Sequence, residues 1–271
     1  MAILFSGDFH AGEVGELSVI TKKNLIQKYG KEMFLRIKCH IILGDGGFMW
    51  HDNQKRDSFN YKVLNFRPFP IYCVVGNHEP ILGMTDLYEA DVGIGETVYK
   101  INDNPFVAYL KRGKVYTIEG LKILVLGGAL SGDIEYRKEG RSWWKNEYWT
   151  VKEKQDIFNL IETNNKFDLV ISHTGTHAIN RILFECIRGE EDNKFKDEVA
   201  FLNDSIDKKI FFYEWWCGHF HHNRFYHNKE TNRRYQYLYK MTKIVEKIDN
   251  EIVIYSENIV NNEGIRKYKC T

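Results

Sequence analysis

Residues 71–79 read IYCVVGNHE, five apolar or aromatic residues followed at once by a polar cluster that opens with glycine. A short apolar run bounded by Gly and Asn is typical of a buried strand rather than of a helix. The same pattern recurs along the chain, which indicates a sheet built from several such strands. The other runs, with the clusters that follow them, are AILFS before GDFH (2–10), CHIIL before GDGG (39–47), KILVL before GGALSGD (122–133), DLVIS before HTGTH (168–177) and FFYEWW before CGHFHH (211–222).

Candidate helices alternate with these strands, and the clearest is the one near residue 150. It begins with a capping box, in which Thr150 is followed three residues later by Glu153. Strands that alternate with helices predict an α/β fold. The candidate helices lie at about residues 16–29, 55–66, 150–164 and 193–208.

Three further segments add antiparallel strands, and together with the α/β pattern they predict two sheets flanked by helices. The segment 107–128 has the pattern of a hairpin, and 233–240 and 250–257 are each typical of a strand. We see no linker, so we expect one domain over residues 1–271, in which residues 223–271 supply C-terminal strands that complete the sandwich. Residues 131–150 hold three Trp in an irregular segment, which is typical of a loop that covers a functional site.

The overall composition favours an ordinary folded protein and argues against several classes of partner. The 271 residues carry a net charge of +1, so there is no global electrostatic reason to expect nucleic acid or an acidic membrane. The N-terminus lacks the basic region of a signal peptide, and no apolar stretch approaches the roughly 20 residues of a membrane span. Five Cys without a C-x-x-C pair suit buried thiols in a reducing compartment. We therefore expect a cytoplasmic location and no membrane partner, while the oligomeric state stays open.

The polar clusters that follow the strands carry side chains suited to metal binding or proton transfer. Polar clusters that follow parallel strands meet at one edge of an open α/β sheet. Any one of them alone would be typical of a turn or of a helix cap, but their repetition after strand upon strand favours a shared site. The side chains are Asp8, His10, Asp45, Asn77, His78, His173, His219 and His221.

Spacing within two of the clusters points the same way. In residues 8–10 and 219–221 the candidate ligands are two apart, so an extended backbone is expected to aim both at one side and the intervening Phe at the core. A glycine directly precedes Asp8, Asp45, Asn77 and His219, which permits the close approach of backbone that a crowded ion site requires.

The donor types decide which ions are expected. Oxygen and imidazole ligands without thiolates suit an open catalytic site for Mn²⁺, with Fe or Zn²⁺ as alternatives, better than a closed structural zinc site. Seven candidate ligands, with His78 left out, are too many for one ion and about right for two. One carboxylate would then have to bridge the pair.

Taken in order, these motifs identify a family resemblance over about residues 3–222. GDFH, GDGG, GNHE, the His173 of ISHTGTH and GHFH at 218–221 resemble the five motifs of the calcineurin-like metallophosphoesterases. The resemblance implies a four-layer α/β/β/α sandwich of two mixed sheets flanked by helices. It also implies two divalent or trivalent metal ions, one held by Asp8, His10 and His221 and the other by Asn77, His173 and His219, with Asp45 bridging.

The resemblance also implies a role for His78 and exposes two departures. His78 resembles the histidine of the family that contacts the scissile phosphate and assists the leaving group. GDGGFMW and VVGNHE lack both arginines that clamp phosphate in members acting on phosphoserine and phosphothreonine, which argues against a protein phosphatase. The segment GGALSGDIEYRKEGRSWW resembles instead a loop of small bacterial and phage-borne members, in which Arg137 or Arg141 could supply the substrate contact.

The resulting expectation is a phosphatase or phosphodiesterase in which a hydroxide shared by the two ions attacks phosphorus in line. The expected partner is a small-molecule or nucleotide phosphate ester. One alternative is a metal-dependent nuclease, which would need Arg224, Arg233 and Arg234 to form a basic groove with the Trp-rich loop. Another is a catalytically silent metal-binding protein that interacts with partners through that loop.

Overall fold

A computed structural model describes residues 1–10, 20–48, 68–80, 87–101, 106–188, 197–239, 241–256 and 265–269. Within these ranges the helices are α1 Lys22–Tyr29, α2 Lys31–Arg36, α3 Val151–Thr163, α4 His177–Arg188 and α5 Glu198–Asp207. The strands are β1 Ala2–Ser6, β2 Ile37–Ile42, β3 Ile71–Val74, β4 Leu87–Ala90, β5 Val98–Ile101, β6 Val107–Leu110, β7 Lys114–Ile118, β8 Leu121–Leu126, β9 Leu169–Ser172, β10 Glu214–Cys217, β11 Arg224–Asn228, β12 Arg233–Tyr237, β13 Thr242–Ile248, β14 Glu251–Ser256 and β15 Ile265–Lys269.

The strands form two mixed sheets. The larger has the order β15-β14-β13-β1-β2-β3-β6-β5-β4, and the smaller has the order β11-β12-β10-β9-β8-β7. Each sheet has a parallel centre, formed by β1, β2, β3 and β6 in one and by β8, β9, β10 and β12 in the other. Their carboxyl ends point to one edge of the molecule.

Three apolar clusters hold four layers together, and strand β1 shows why. All five of its residues are buried, because successive side chains point to opposite faces and both faces are covered. Ala2 and Leu4 pack with Leu25 and Phe34 of the helices on one side of the larger sheet. Ile3 and Phe5 face the smaller sheet, and Phe5 meets Trp216 edge to face with 4.9 Å between ring centroids.

The outer layer on the smaller sheet consists of α3, α4 and α5. Ile157, Leu183 and Leu202 of these helices pack on Val170 and Trp215 of the sheet. Together the clusters give the order helix, sheet, sheet, helix. The predicted α/β fold, a four-layer sandwich of two mixed sheets flanked by helices, is confirmed.

Most of the predicted elements are present, with shifted bounds. The capping box is confirmed, since the Thr150 side chain accepts from the backbone N–H of Glu153 while the Glu153 carboxylate accepts from the N–H of Thr150. The first and last predicted helices are found as α1 and α5, and their predicted first residues, 16–19 and 193–196, lie outside the described ranges. The helix predicted at 55–66 lies wholly outside them.

The hairpin predicted within 107–128 is confirmed for β7 and β8, which pair antiparallel, but β6 is not part of it. Strand β6 pairs with β3 and β5 in the larger sheet, whereas β7 and β8 pair in the smaller one. The chain crosses between the sheets at residues 111–113, where Gly113 takes a φ of 70°. Alternation of apolar residues marks a strand but does not say which sheet it joins.

Helix α4 was not predicted, although its sequence carries the signal. Ile179 and Leu183 are four residues apart on one face and pack into the core. His177 begins the helix, and its ring stacks on that of Phe201 with 4.0 Å between the ring centroids. None of the described helices combines the length and apolar character that crossing a membrane would take.

Candidate metal-binding site

The candidate ligands lie where the parallel strands end, at the edge shared by the two sheets. Each short loop after a strand contributes one or two of them. Asp8 and His10 follow β1, Asp45 follows β2, Asn77 and His78 follow β3, His173 follows β9, and His219 and His221 follow β10.

One group of ligands joins the loops after β1 and β10. Nε2 of His10 lies 2.9 Å from Nε2 of His221, which in turn lies 3.2 Å from Oδ2 of Asp8. The three side chains each offer a ligand atom within 4.8 Å of the others. The ring of Tyr239 stacks on the face of the His221 ring, with 4.5 Å between the ring centroids, and this contact holds the imidazole in place.

A second group centres on the buried ring of His173. Its Nε2 lies 2.9 Å from Oδ1 of Asn77, and its ring centroid lies 4.9 Å from that of His219. Nδ1 of His173 donates to the carbonyl oxygen of Leu43 at 2.8 Å, since a carbonyl only accepts. That bond orients the ring with Nε2 toward the site.

Asp45 is buried and contacts both groups, since its backbone carbonyl accepts the N–H of His10 at 2.9 Å and its carboxylate faces His173. Its Oδ2 is 3.3 Å from Nε2 of His173, and its Oδ1 accepts the backbone N–H of His78 at 3.1 Å. Although burial opposes it, the neighbouring His173 holds the pKa of Asp45 well below its usual value. For His173 the effects are reversed: burial lowers its pKa, but the nearby Asp45 raises it more strongly, to about 10. The two side chains therefore form a buried ion pair.

The histidines reach the site through left-handed turns rather than through extended backbone. His10, His219 and His221 have φ values of 38°, 69° and 54°. The expectation of an extended backbone at 8–10 and 219–221 was therefore wrong, although Phe9 does point into the core as expected. Left-handed backbone is costly for residues other than glycine, so the surrounding contacts must impose it.

Close approach of backbone to ligand explains the glycines. A Cβ added at Gly76 would collide with the carboxylate of Asp45, and one added at Gly218 would collide with that of Asp8. Gly44 has a φ of 87° and leaves room for the ring of His173. The close approach predicted at these glycines is confirmed.

The donor set fits metal ions. Asp8 Oδ2 is buried and lies 3.2 Å from Nε2 of His221, but it accepts no hydrogen bond of good geometry from a described residue, which leaves a buried polar oxygen that a cation would satisfy. Around His173 the acceptors Asp45 Oδ2 and Asn77 Oδ1 converge on one nitrogen. Because metal binding displaces protons from imidazoles, an ion at this place would replace the proton of His173 as the positive charge facing Asp45.

His78 and Arg137 lie against each other beside this cluster. Nη1 and Nη2 of Arg137 are both 3.3 Å from ring nitrogens of His78, and Asp133 accepts from Nε of Arg137 at 2.6 Å. Burial lowers the pKa of His78 and the Arg137 cation lowers it further, against the opposing effect of Asp45. The side chain of Arg141 is exposed.

Three residues that support the site have no assigned role in the sequence argument. Glu79 accepts from the backbone N–H of Gly46 at 2.6 Å and of Gly76 at 2.5 Å, which ties the loops after β2 and β3 together. Burial, with Asp45 nearby, raises the pKa of Glu79 to about 8. Ser131 accepts from Nδ2 of Asn77 at 2.9 Å. Glu79 ends the GNHE motif, whereas Ser131 and Tyr239 lie outside the five motifs, and nothing in the spacing of these two indicates a role at the site.

Comparison with known proteins agrees with this architecture. The family model "Calcineurin-like phosphoesterase" matches residues 1–223. A dimetal phosphatase from Danio rerio is similar in structure, with a TM-score of 0.51, 10% identity and coverage of 100% of this chain and 99% of that one. GAP50, described as the anchor in the inner membrane complex of Plasmodium, has a TM-score of 0.52 and 11% identity, with 100% and 88% covered. A comparison with curated proteins finds no match.

Proposed function

Because this chain belongs to the calcineurin-like phosphoesterases, a family of metal-dependent phosphoric ester hydrolases, we propose that it hydrolyses phosphate esters with two metal ions. The observation that carries the proposal is the convergence of seven oxygen and imidazole donors, from five loops, on one edge of the sandwich. Neither sheet alone brings them together. The convergence is expected of a metal site and has no use in a fold stabilised only by its core.

The two groups of ligands give the assignment. We assign one ion to Asp8, His10 and His221 and the other to Asn77, His173 and His219, with Asp45 facing both. Mn²⁺ is our first choice, and Fe or Zn²⁺ are alternatives, because the donors are oxygens and imidazoles without thiolates. When bound, such ions lower the pKa of a water and neutralise charge on a phosphoryl group.

His78 is placed to act on the leaving group. Its backbone N–H is held by Asp45 and its ring borders the ligand cluster, with Nε2 3.9 Å from Oδ2 of Asp45. A neutral imidazole keeps one N–H, which it can donate to a phosphate oxygen or to the leaving oxygen. We assign His78 as the catalytic residue on this ground.

Arg137 is our choice for the substrate contact, ahead of Arg141. The ion pair with Asp133 directs both terminal nitrogens of Arg137 at His78, where a phosphate bound at the ions would lie within reach. A guanidinium suits phosphate because it presents several N–H donors in one plane. The loop 131–150 that carries Arg137 is accordingly proposed as the active-site loop of a single domain.

Substitution of Arg137 tests this contact. We expect Arg137→Ala to raise KM for a phosphate monoester about tenfold to a hundredfold, the range for a lost hydrogen bond to a charged group, with metal content unchanged. Arg141→Ala tests the alternative contact, and Arg181→Ala on the exposed side of α4 is the matched control. An unchanged KM in Arg137→Ala, or a larger increase in Arg141→Ala, would contradict the assignment.

The expected substrate is a small-molecule or nucleotide phosphate ester. For the nuclease alternative, the arginines that would form a basic groove are partly committed elsewhere. Arg233 pairs with Asp207 at 2.6 Å and packs on Phe212, while Arg234 bonds to Asn232. These contacts favour the small substrate.

The fold alone does not distinguish an enzyme from a catalytically silent interaction protein. The sandwich also occurs in a protein described as an anchor, so the fold itself does not decide for catalysis. The ligand set does favour catalysis, because a binding surface has no need of seven converging donors with an imidazole and a guanidinium beside them.

Hydrolysis of two chromogenic esters tests the proposed function. The protein is stripped of metal, reloaded with Mn²⁺ and assayed on p-nitrophenyl phosphate and on bis-p-nitrophenyl phosphate. We expect metal-dependent turnover of at least one ester, and the preferred one decides between phosphatase and phosphodiesterase. A preparation that binds two ions yet cleaves neither ester nor a single-stranded oligonucleotide would favour the silent interaction protein.

A further inference from the structure

A buried polar pair from the loop 131–150 lies directly behind Asn77. Ser131 and Glu147 are only 5% and 3% exposed, and polar side chains buried to this extent almost always have a hydrogen-bond partner. Oγ of Ser131 accepts from Nδ2 of Asn77 at 2.9 Å. Neither residue belongs to the five motifs.

The direction of the hydrogen bonds is fixed by Glu147. Its two carboxylate oxygens accept from the backbone N–H and from the hydroxyl of Ser131, both at 2.8 Å. The hydroxyl hydrogen is therefore used, and what the Ser131 oxygen presents to Asn77 is a lone pair. That lone pair accepts a hydrogen bond from the NH₂ group of Asn77 and would repel the amide oxygen. The amide oxygen Oδ1 of Asn77 therefore points away from Ser131 and lies 2.9 Å from Nε2 of His173.

We propose that Ser131 and Glu147 are positioning residues that hold the amide of Asn77 with its oxygen toward the metal. The inference rests on the proposed function, in which Asn77 is a ligand. The two ends of an amide are almost the same size, so shape alone does not prevent a flip, and a flipped amide would present an NH₂ group that has no lone pair for an ion. Outer hydrogen bonds of this kind commonly set ligand orientation.

Glu147 is itself held rigidly, which the role requires. It ends a 3₁₀ turn, Lys145–Glu147, and the carbonyls on either side of it, of Asn146 and Tyr148, accept from Arg112 at 2.9 and 3.0 Å. Arg112 is also bonded to Glu153 in the first turn of α3 at 2.7 Å. The orientation of Asn77 is thus set by the end of the loop and the helix that follows it.

Metal titration of variants tests the inference. Binding of Mn²⁺ to the stripped protein is measured for wild type, Ser131→Ala, Ser131→Thr and Asn77→Ala, with Ser205→Ala on the exposed side of α5 as control. We expect Ser131→Ala to weaken one of the two sites about tenfold to a hundredfold and to leave the other unchanged. Ser131→Thr keeps the hydroxyl and should retain the wild-type affinities that Ser131→Ala loses. A merely structural role would not predict this difference between the two variants.

A double variant decides whether Ser131 acts through Asn77. In the Asn77→Ala background, Ser131→Ala should have no further effect on either site, because the amide it positions is gone. The thermal midpoint of each metal-free variant shows whether the fold is kept. If the wild type binds two ions and Ser131→Ala binds both with unchanged affinity, this inference is overturned while the proposed function stands. A wild-type chain that binds no second ion would overturn the proposed function, and this inference with it.

Discussion

Replacing Asp45 with Asn is expected to remove both metal ions and to lower kcat/KM by more than about a thousandfold, or about 4 kcal/mol of transition-state stabilisation. Asp45 is buried, contacts both ligand groups and pairs with His173 at 3.3 Å. Asn keeps the shape and can still accept the N–H of His78, but it carries no charge to hold two cations in a dry site. The measurements are metal content per chain after reloading and hydrolysis of p-nitrophenyl phosphate.

Asp168→Asn is the matched control for this variant. Asp168 is a buried aspartate at the opposite end of β9 from His173, where it accepts from the backbone N–H of Lys122 and from Lys247. We expect Asp168→Asn to retain both ions and full kcat/KM. Retention of two ions and activity in Asp45→Asn would show that Asp45 does not bridge.

His78→Gln is expected to keep both ions and to lower kcat by about a hundredfold to ten thousandfold, the usual range for a positioned proton donor. His78 borders the ligand cluster and is no member of either group. If His78 gives a proton to the leaving oxygen, the loss should be much larger for an alkyl phosphate than for p-nitrophenyl phosphate, because p-nitrophenolate leaves without a proton. The comparison of these two substrates is therefore the deciding measurement.

His177→Gln provides the same substitution away from the site. His177 begins α4 and stacks on Phe201, and we expect its variant to match wild type in metal content and in both rates. An equal loss on both esters in His78→Gln would assign His78 to phosphate binding rather than to proton transfer. Loss of an ion in His78→Gln would make His78 a ligand and would refute the role proposed for it.

The strands that lead into the site and the types of donor in it were predictable because both depend on a few consecutive residues. A run such as AILFS, with glycine and a ligand-type residue after it, is a local signal, and β1, β2, β3, β9 and β10 were each predicted from one. Glycine before Asp45 and before Asn77 indicated close approach, which the collisions at Gly44 and Gly76 confirm. The types of donor could likewise be predicted, and they favoured an open site for Mn²⁺, Fe or Zn²⁺ over a closed structural zinc site.

Contacts between distant segments were not predictable from such patterns. His10 meets His221 across 211 positions, and His173 meets Leu43 across 130. The left-handed turns at the histidines, the placement of β6 and β7 in different sheets, and the support of Asn77 by Ser131 all depend on how the layers pack. No periodicity within a segment reports on them.

The sequence by itself therefore determined the parallel strands at the centre of each sheet, the sandwich class and the side chains available for metal binding, because apolar alternation and turn chemistry act over a few residues. Strands β4, β5, β11, β13 and β15 were not predicted. The family resemblance implied how the donors group around Asp45. The tertiary structure alone decided the contacts among them, such as the 3.3 Å between Asp45 and His173, and that Arg137 and not Arg141 lies on His78. The physical reason is that the site forms where two separately built sheets meet. Its geometry is set by the packing of those sheets, to which residues far apart in the chain contribute together.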